Sequence, residues 1–238
     1  MVCLPTYNER ENLEPMVRAL GEISAEHALD AHILVIDDSS PDGTGELADG
    51  LAQELDFLSV LHRPKKEGLG PAYVAGFREA LGTDAELIVE MDCDFSHDPA
   101  DLPRLVAAAE SADVVLGSRY VDGGGTRNWG LGRRAISRFG SLYSRVLLGA
   151  GIHDLTGGFK CFRRAVLETI GLDRISTKGY AFQIETTYRA LRAGYRVVEL
   201  PIVFSEREAG GSKMSRSIAL EAFWKVPELR LRALLGRL

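Results

Sequence analysis

Five short apolar runs alternate with helix-forming segments along the first 120 residues, and this alternation constrains the fold more than any other feature of the chain. The runs are "VCLP", "HILVIDD", "LSVLHRP", "ELIVEM" and "DVVLGSRY". Between the first two, Leu13, Met16, Val17 and Leu20 recur at helical spacing and predict a helix over Asn12 to Gly21. "GELADGLAQEL", "GPAYVAGFREAL" and "PADLPRLVAAAES" read as helices in the same way. Such a chain is expected to be an α/β protein with a mostly parallel central sheet and helices on both faces. Ligands of these sheets sit outside the carboxyl ends of the strands. Polar clusters fall there at Thr6 to Glu9, Asp37 to Ser40 and Asp92 to Ser96.

The second half has a different texture. Arg119, Arg127, Arg133, Arg134, Arg138 and Arg145 share their interval with a single acid, Asp122. "KGYAFQIETTYRALRAGY" predicts a helix. "RVVELPIVFSERE" predicts a strand, near a sheet edge because Pro201 cannot donate to a ladder. "AGGSKMS" reads as a loop. The expected division is an α/β catalytic domain over 1–215 and a basic amphipathic helical segment over 216–238, interrupted at Pro227. In that segment Phe223, Trp224 and several leucines oppose Lys225, Arg230, Arg232 and Arg237, a pattern that suits a membrane surface or packing on the core.

Composition narrows the classes. A net charge of −6 implies no general affinity for nucleic acid. Cys3, Cys93 and Cys161 are too widely spaced for a zinc pattern or a disulfide framework, which suits a reducing, cytoplasmic setting. Met1 leads into "VCLPTYNE" without a basic leader, and no apolar run approaches the ~18 residues of a membrane span. Membrane association is therefore expected to be peripheral.

The chemistry centres on "EMDCDFSHDP". Asp92 and Asp94 would repel each other unless a cation sits between them. Carboxylate and hydroxyl oxygens suit Mg²⁺ or Mn²⁺, with substrate phosphate completing the shell. The competing reading is a pair of solvated turn residues capping the helix at Pro99. The strongly apolar strand before them and the two neighbouring polar strand ends favour the metal. Asp38 is placed for a ribose hydroxyl or a base edge, whereas Asp42 reads as a turn residue. Neither G-x-G-x-x-G nor G-x-x-x-x-G-K-[ST] follows the first strand, so a bound diphosphate would be held by metal and side chains. Arg119, Arg133 and Arg134 are candidates for that role. Arg127, Arg138 and Arg145 read as surface charge. Arg207 and Lys213 flank a glycine pair, a basic loop able to close on an anion. His97 reads as a helix-start residue or a metal ligand, and His32, His62 and His153 as structural. G-x-S-x-G and H-E-x-x-H are absent, leaving serine hydrolase and zinc protease readings unsupported.

At this point the chain resembles a known family. "LPTYNERENL", "VIDDSSPDGT", "GLGPAYVAGF", "MDCDFSHDP", "GSRYVDGGG", "NWGLGRRAISR", "DLTGGFKCFRR", "KGYAFQIE" and "GGSKM" recur in order, from Leu4 to about Ser215. Together they resemble the polyprenol-phosphate (dolichol-phosphate) mannose synthases, inverting family 2 glycosyltransferases with a GT-A fold. The resemblance implies transfer of mannose from GDP-mannose to a polyprenyl or dolichyl phosphate. It implies that Pro5, Tyr7, Glu9, Ile36 and Asp38 line the guanine and ribose pocket. Asp92, Cys93 and Asp94 would meet nucleotide and metal, with Ser96 completing the metal shell. Arg119, Arg207 and Lys213 would hold donor or acceptor phosphates, and Arg133 and Ser137 the lipid phosphate. Cys93 stands where alanine is usual, and "DDSS" replaces the commoner "DDGS". The implied setting is the cytoplasmic face of a membrane, with room for a membrane anchor subunit. The alternatives are a polyprenol-phosphate glucose synthase using UDP-glucose and a non-catalytic sugar-nucleotide-binding subunit. A nucleotidyltransferase would want a glycine-rich basic N-terminal loop, which is missing.

Overall fold

A computed structural model describes residues 1–175, 177, 179–206 and 216–238, with side chains throughout except at 180 and 216–222. The first half runs β1 (Val2–Thr6), α1 (Arg10–Glu26), β2 (Ile33–Asp37), α2 (Thr44–Glu54), β3 (Leu58–His62), α3 (Leu69–Leu81), β4 (Leu87–Glu90), α4 (Leu102–Ala108) and β5 (Val114–Ser118). The second half runs β6 (Gly125–Arg127), α5 (Leu131–Leu148), β7 (Lys160–Arg163), α6 (Arg164–Thr169), α7 (Gly179–Arg192), β8 (Val197–Pro201), β9 (Val203–Ser205) and α8 (Arg216–Leu234).

Seven strands form one sheet in the order β3-β2-β1-β4-β7-β5-β8. All pairs are parallel except those of β7, which runs antiparallel between β4 and β5. The sheet is buried on both faces, so successive residues of one strand serve opposite cores. Leu34 and Ile36 of β2 join Tyr73, Phe77, Phe182, Val226 and Leu229 on one face. Ile33 and Val35 join Leu13, Met16, Val17 and Leu20 of α1 on the other. Helix α3 lies so close to β2 that a Cβ on Gly76 would sit 2.3 Å from Ile36 Cδ1, so a larger residue there would have to push the Ile36 side chain aside.

Several expectations are corrected. Helix α1 begins at Arg10 and runs through Pro15 to Glu26, longer at both ends than its apolar stripe. "RVVELPIVFSERE" is two strands. Strand β8 takes the sheet edge, with Pro201 at its last position, and β9 pairs with β6 in a separate two-stranded sheet. Helix α8 continues through Pro227. Helix α5 and strand β7 were not legible as elements.

Candidate active site

The loops leaving β1 and β2 are tied together by short polar contacts. The Glu9 backbone N–H donates to Thr44 Oγ1 at 3.0 Å, and Asn12 Nδ2 donates to Glu9 Oε2 at 2.7 Å. Asp37 accepts from Ser40, so it holds the turn. Asp42 does likewise for Thr44 and Arg10. Asp38 is buried and paired with the Arg63 guanidinium, which also reaches Glu67 at 3.0 Å. Burial pushes the Asp38 carboxyl above its ordinary range despite that cation. Tyr7 carries Lys66 Nζ 3.6 Å above its ring. Pro5 is half-buried at the register position facing Ile36. The Ile36 side chain itself is fully buried against α3, leaving its backbone as the part that adjoins these loops.

Asp94 is buried, and its Oδ1 accepts the Ser96 N–H at 3.0 Å. The Asp92 N–H donates to His97 Nδ1 at 3.2 Å. The residue that caps the following 3-10 turn is Asp98, which accepts from Ala100 N–H at 2.9 Å. The cap at Pro99 is therefore Asp98 and neither Asp92 nor Asp94. His97 is buried against Phe159 and Phe204, with ring centroids 5.1 Å away in each case. Burial lowers its imidazole to about 4, and the backbone donor at Nδ1 fixes the neutral ring with its proton on Nε2. Cys93 buries its side chain in the apolar core. Strand β9 clamps this loop, since Ser205 N–H donates to Ser96 O at 3.0 Å.

Asn8, Ser39, Phe95 and Asn128 are in the left-handed backbone region, at φ of 55°, 57°, 57° and 63°. The first three lie in the loops after β1, β2 and β4, and Asn128 lies between β6 and α5. Strain of this kind collects where surrounding structure over-determines a functional loop.

Among the described residues no three His, Cys, Asp or Glu side chains gather as a metal cluster. The chain offers the carboxylates of Asp92 and Asp94 and the hydroxyl of Ser96. That set fits a hard divalent cation whose remaining ligands are water or substrate oxygens.

The arginine-rich half reaches this loop through Phe204, which touches the rings of both His97 and Trp129. Arg119 is locked onto Asp154, with Nε and Nη2 each 2.7 Å from its carboxylate and the backbone N–H at 3.0 Å. Burial alone would raise the Asp154 carboxyl, but the guanidinium beside it holds it below its ordinary value. Arg119 Nη2 also donates to Thr156 at 2.8 Å. Ser137 accepts the Tyr120 hydroxyl at 2.6 Å. Arg133 stacks 4.1 Å above the Trp129 ring, with Nη1 3.2 Å from Glu206. Arg134 reaches the Thr126 carbonyl at 3.4 Å, and Arg127 and Arg138 are exposed. Arg207 and Lys213 lie outside the described residues. Asp154, Arg63 and Trp129 were not singled out from the sequence. Asp154 and Trp129 stand in "DLTGG" and "NWGLGRR", but partners 35 residues apart, such as Arg119 and Asp154, leave no local signal.

Beneath the Asp92 loop, β4 and β7 are joined by a fully buried pair, Glu90 and Lys160, 3.0 Å apart. Lys160 Nζ also donates to Gln183 O at 3.0 Å, Gln183 Oε1 at 2.5 Å and Thr186 Oγ1 at 3.3 Å. Burial pushes Glu90 up to about 7 and lowers Lys160.

Comparison with known proteins gives the family. Residues 1–171 match the model of glycosyl transferase family 2. A polyprenol monophosphomannose synthase from Mycolicibacterium smegmatis is 51% identical over 240 residues, covering 100% of this chain and 89% of that protein. An undecaprenyl-phosphate mannosyltransferase from Micrococcus luteus is 47% identical over 233 residues, covering 98% and 94%. Among solved structures, a glucosyl-3-phosphoglycerate synthase from Mycobacterium tuberculosis with UDP superposes with a TM-score of 0.68 at 17% identity, covering 96% of this chain and 79% of that one. A mannosyltransferase from Pyrobaculum calidifontis with GDP-Man and Mn²⁺ superposes at 0.58 and 17%, covering 99% and 73%. At such identity these two speak for the fold alone. With its family model matched over most of its length and its sheet mostly parallel, the chain belongs to glycosyl transferase family 2 and is a glycosyltransferase of GT-A fold.

Proposed function

We propose that this enzyme transfers mannose from GDP-mannose to a polyprenyl monophosphate, giving polyprenyl β-mannosyl phosphate and GDP. The observation that carries the reading is the position of Asp92 and Asp94 just beyond β4, in a loop whose His97 shares Phe204 with the Trp129 that lies under Arg133. The names of the two relatives at 51% and 47% identity support the acceptor and the sugar.

A phosphate monoester carries most of its second charge at pH 7, its second pKa being about 6. As nucleophile it needs no strong general base. Catalysis is then positioning and electrostatics. An acceptor phosphate oxygen bonds to the anomeric carbon as the bond from that carbon to the GDP oxygen breaks, inverting the centre. Asp38, Tyr7 and Glu9 orient the nucleoside. Asp92 and Asp94, with Ser96, would hold a divalent cation, which when bound neutralises the departing diphosphate. Arg133 and Ser137 bring the acceptor phosphate in, and Arg119 is fixed by Asp154 before substrate arrives.

The acceptor is a lipid, and α5 presents a face suited to one. Leu131, Ile136, Phe139, Leu142 and Val146 are all exposed, as are Phe223 and Trp224 at the start of the described side chains of α8. Phe139, Tyr143, Phe223 and Trp224 follow one another in ring contact. This apolar face, with Arg134 and Arg138 beside it, would seat on an anionic, cytoplasmic leaflet. No helix among the described residues is long and apolar enough to cross a membrane.

The test is transfer of labelled mannose from GDP-mannose into organic-extractable lipid, with polyprenyl phosphate and Mn²⁺ or Mg²⁺. Transfer is expected, lost with EDTA and with Asp94→Ala. Transfer from UDP-glucose in place of GDP-mannose would overturn the donor assignment.

A further inference from the structure

Trp129 and Arg133 present a feature that the roles given so far do not use. Trp129 is 7% exposed, and its indole Nε1 is buried with no acceptor among the described residues. Arg133 Nε is buried without an acceptor in the same way. The two side chains are stacked, guanidinium 4.1 Å above indole. Arg119 stands on the same ring at 5.7 Å, and Phe204 holds it edge-on at 5.3 Å. Two adjacent buried N–H groups beside cations call for an acceptor with negative charge and more than one oxygen. Glu206 meets only Nη1 of Arg133 and leaves the Nε unmet.

We propose that the indole N–H of Trp129 is a binding contact for the acceptor's phosphate, donated alongside Arg133 Nε–H. This rests on the mannosyl transfer proposed above and adds to it a residue that selects a phosphate monoester over an alcohol. An alcohol is uncharged and has one oxygen, so two donors on it would occupy both lone pairs and leave none for attack, whereas a phosphate has oxygens to spare.

The decisive variant is Trp129→Phe, which keeps an aromatic ring under Arg133 and removes the N–H. A benzothienylalanine at position 129, with sulfur in place of the N–H, preserves the indole shape should phenylalanine loosen the fold. Both are expected to raise KM for a short-chain prenyl monophosphate about tenfold, the size of one charge-assisted hydrogen bond. KM for GDP-mannose and kcat should stay within about twofold. Equilibrium dialysis of the labelled prenyl monophosphate, without donor, should show the same loss. Because it needs no turnover, it still decides the role of Trp129 if mannose transfer itself fails. Inorganic phosphate forms the second arm. Its parallel loss in the variants would assign the contact to the phosphate group alone, and a loss confined to the prenyl ester would assign it to the lipid headgroup. Unchanged acceptor binding in both variants would overturn the proposal. So would a common fall in kcat and in both affinities, which marks a structural residue, or a wild-type protein that binds no prenyl monophosphate.

Discussion

At the scale of single residues, the site is held by pairs that fix a side chain before any ligand arrives. Arg119 and Asp154 are the clearest case, because both are buried and three contacts join them. Replacing one partner of a buried pair leaves an uncompensated charge, which costs about 3–5 kcal/mol. Asp154→Asn should lower the free energy of unfolding by that amount, read as a lower urea midpoint at an unchanged m-value, and mannose transfer should fall with it. An unshifted midpoint would mean that Arg119 finds another anion. Ser39 shows the opposite balance. It stands where glycine is expected, at φ 57°, a conformation that costs a side-chain-bearing residue roughly 1–2 kcal/mol. Its hydroxyl donates to the Arg63 carbonyl at 2.7 Å, a bond worth about 1 kcal/mol. Ser39→Gly should therefore change stability by no more than about 1 kcal/mol, measured by thermal unfolding.

At the scale of elements, the parallel half was legible because β1 to β5 are short apolar runs between helices of ordinary pattern. The second half was not, and α5 explains why. Its inward side is small and polar, with Ser141 and Ser144 buried, while Leu131, Ile136, Phe139, Leu142 and Val146 face out. A search for an inward apolar stripe cannot find such a helix, and Gly132 and Gly140 lower its propensity further. Strand β7 was missed because it is four residues long and its Lys160 is charged, a residue made acceptable by Glu90 on the neighbouring strand and by Gln183 and Thr186 of α7. The membrane contact was expected on the C-terminal segment. Helix α8 does expose Phe223 and Trp224, but it also buries Val226, Leu229 and Ala233 in the core. Truncating it would disturb the fold as well as any membrane contact. The informative change is therefore Ile136→Ser with Phe139→Ser and Leu142→Ser. Exposed substitutions of this kind usually shift stability by less than about 0.5 kcal/mol each. Co-sedimentation with anionic liposomes should be lost while the melting temperature holds; full pelleting of the triple variant would remove α5 from the membrane contact.

At the scale of the whole molecule, β7 joins the two halves of the sheet, and the Glu90–Lys160 pair is its polar seam to β4 and α7. Burial holds the folded Glu90 pKa at about 7, above its ordinary 4.5, with Lys160 pulling the other way. For an acid whose folded pKa is raised, the stabilising contribution is complete below the unfolded value and is lost as pH rises through the folded one. Lys160→Met removes the attraction that limits this loss, so its cost must grow with pH. We expect the metal-free variant to lose about 3–5 kcal/mol against wild type at pH 8, where Glu90 would be a buried unpaired carboxylate. At pH 5 the carboxyl can take a proton and the loss should be much smaller. Adding Glu90→Gln to Lys160→Met should recover most of the stability at pH 8 and change little at pH 5, because the charge that needed a partner is gone. Urea midpoints at the two pH values give all four comparisons. An equal loss at pH 5 and pH 8 would mean that Lys160 acts through its bonds to Gln183 and Thr186 on α7, and that the seam is held by hydrogen bonding to the helix and not by the ion pair across the strands.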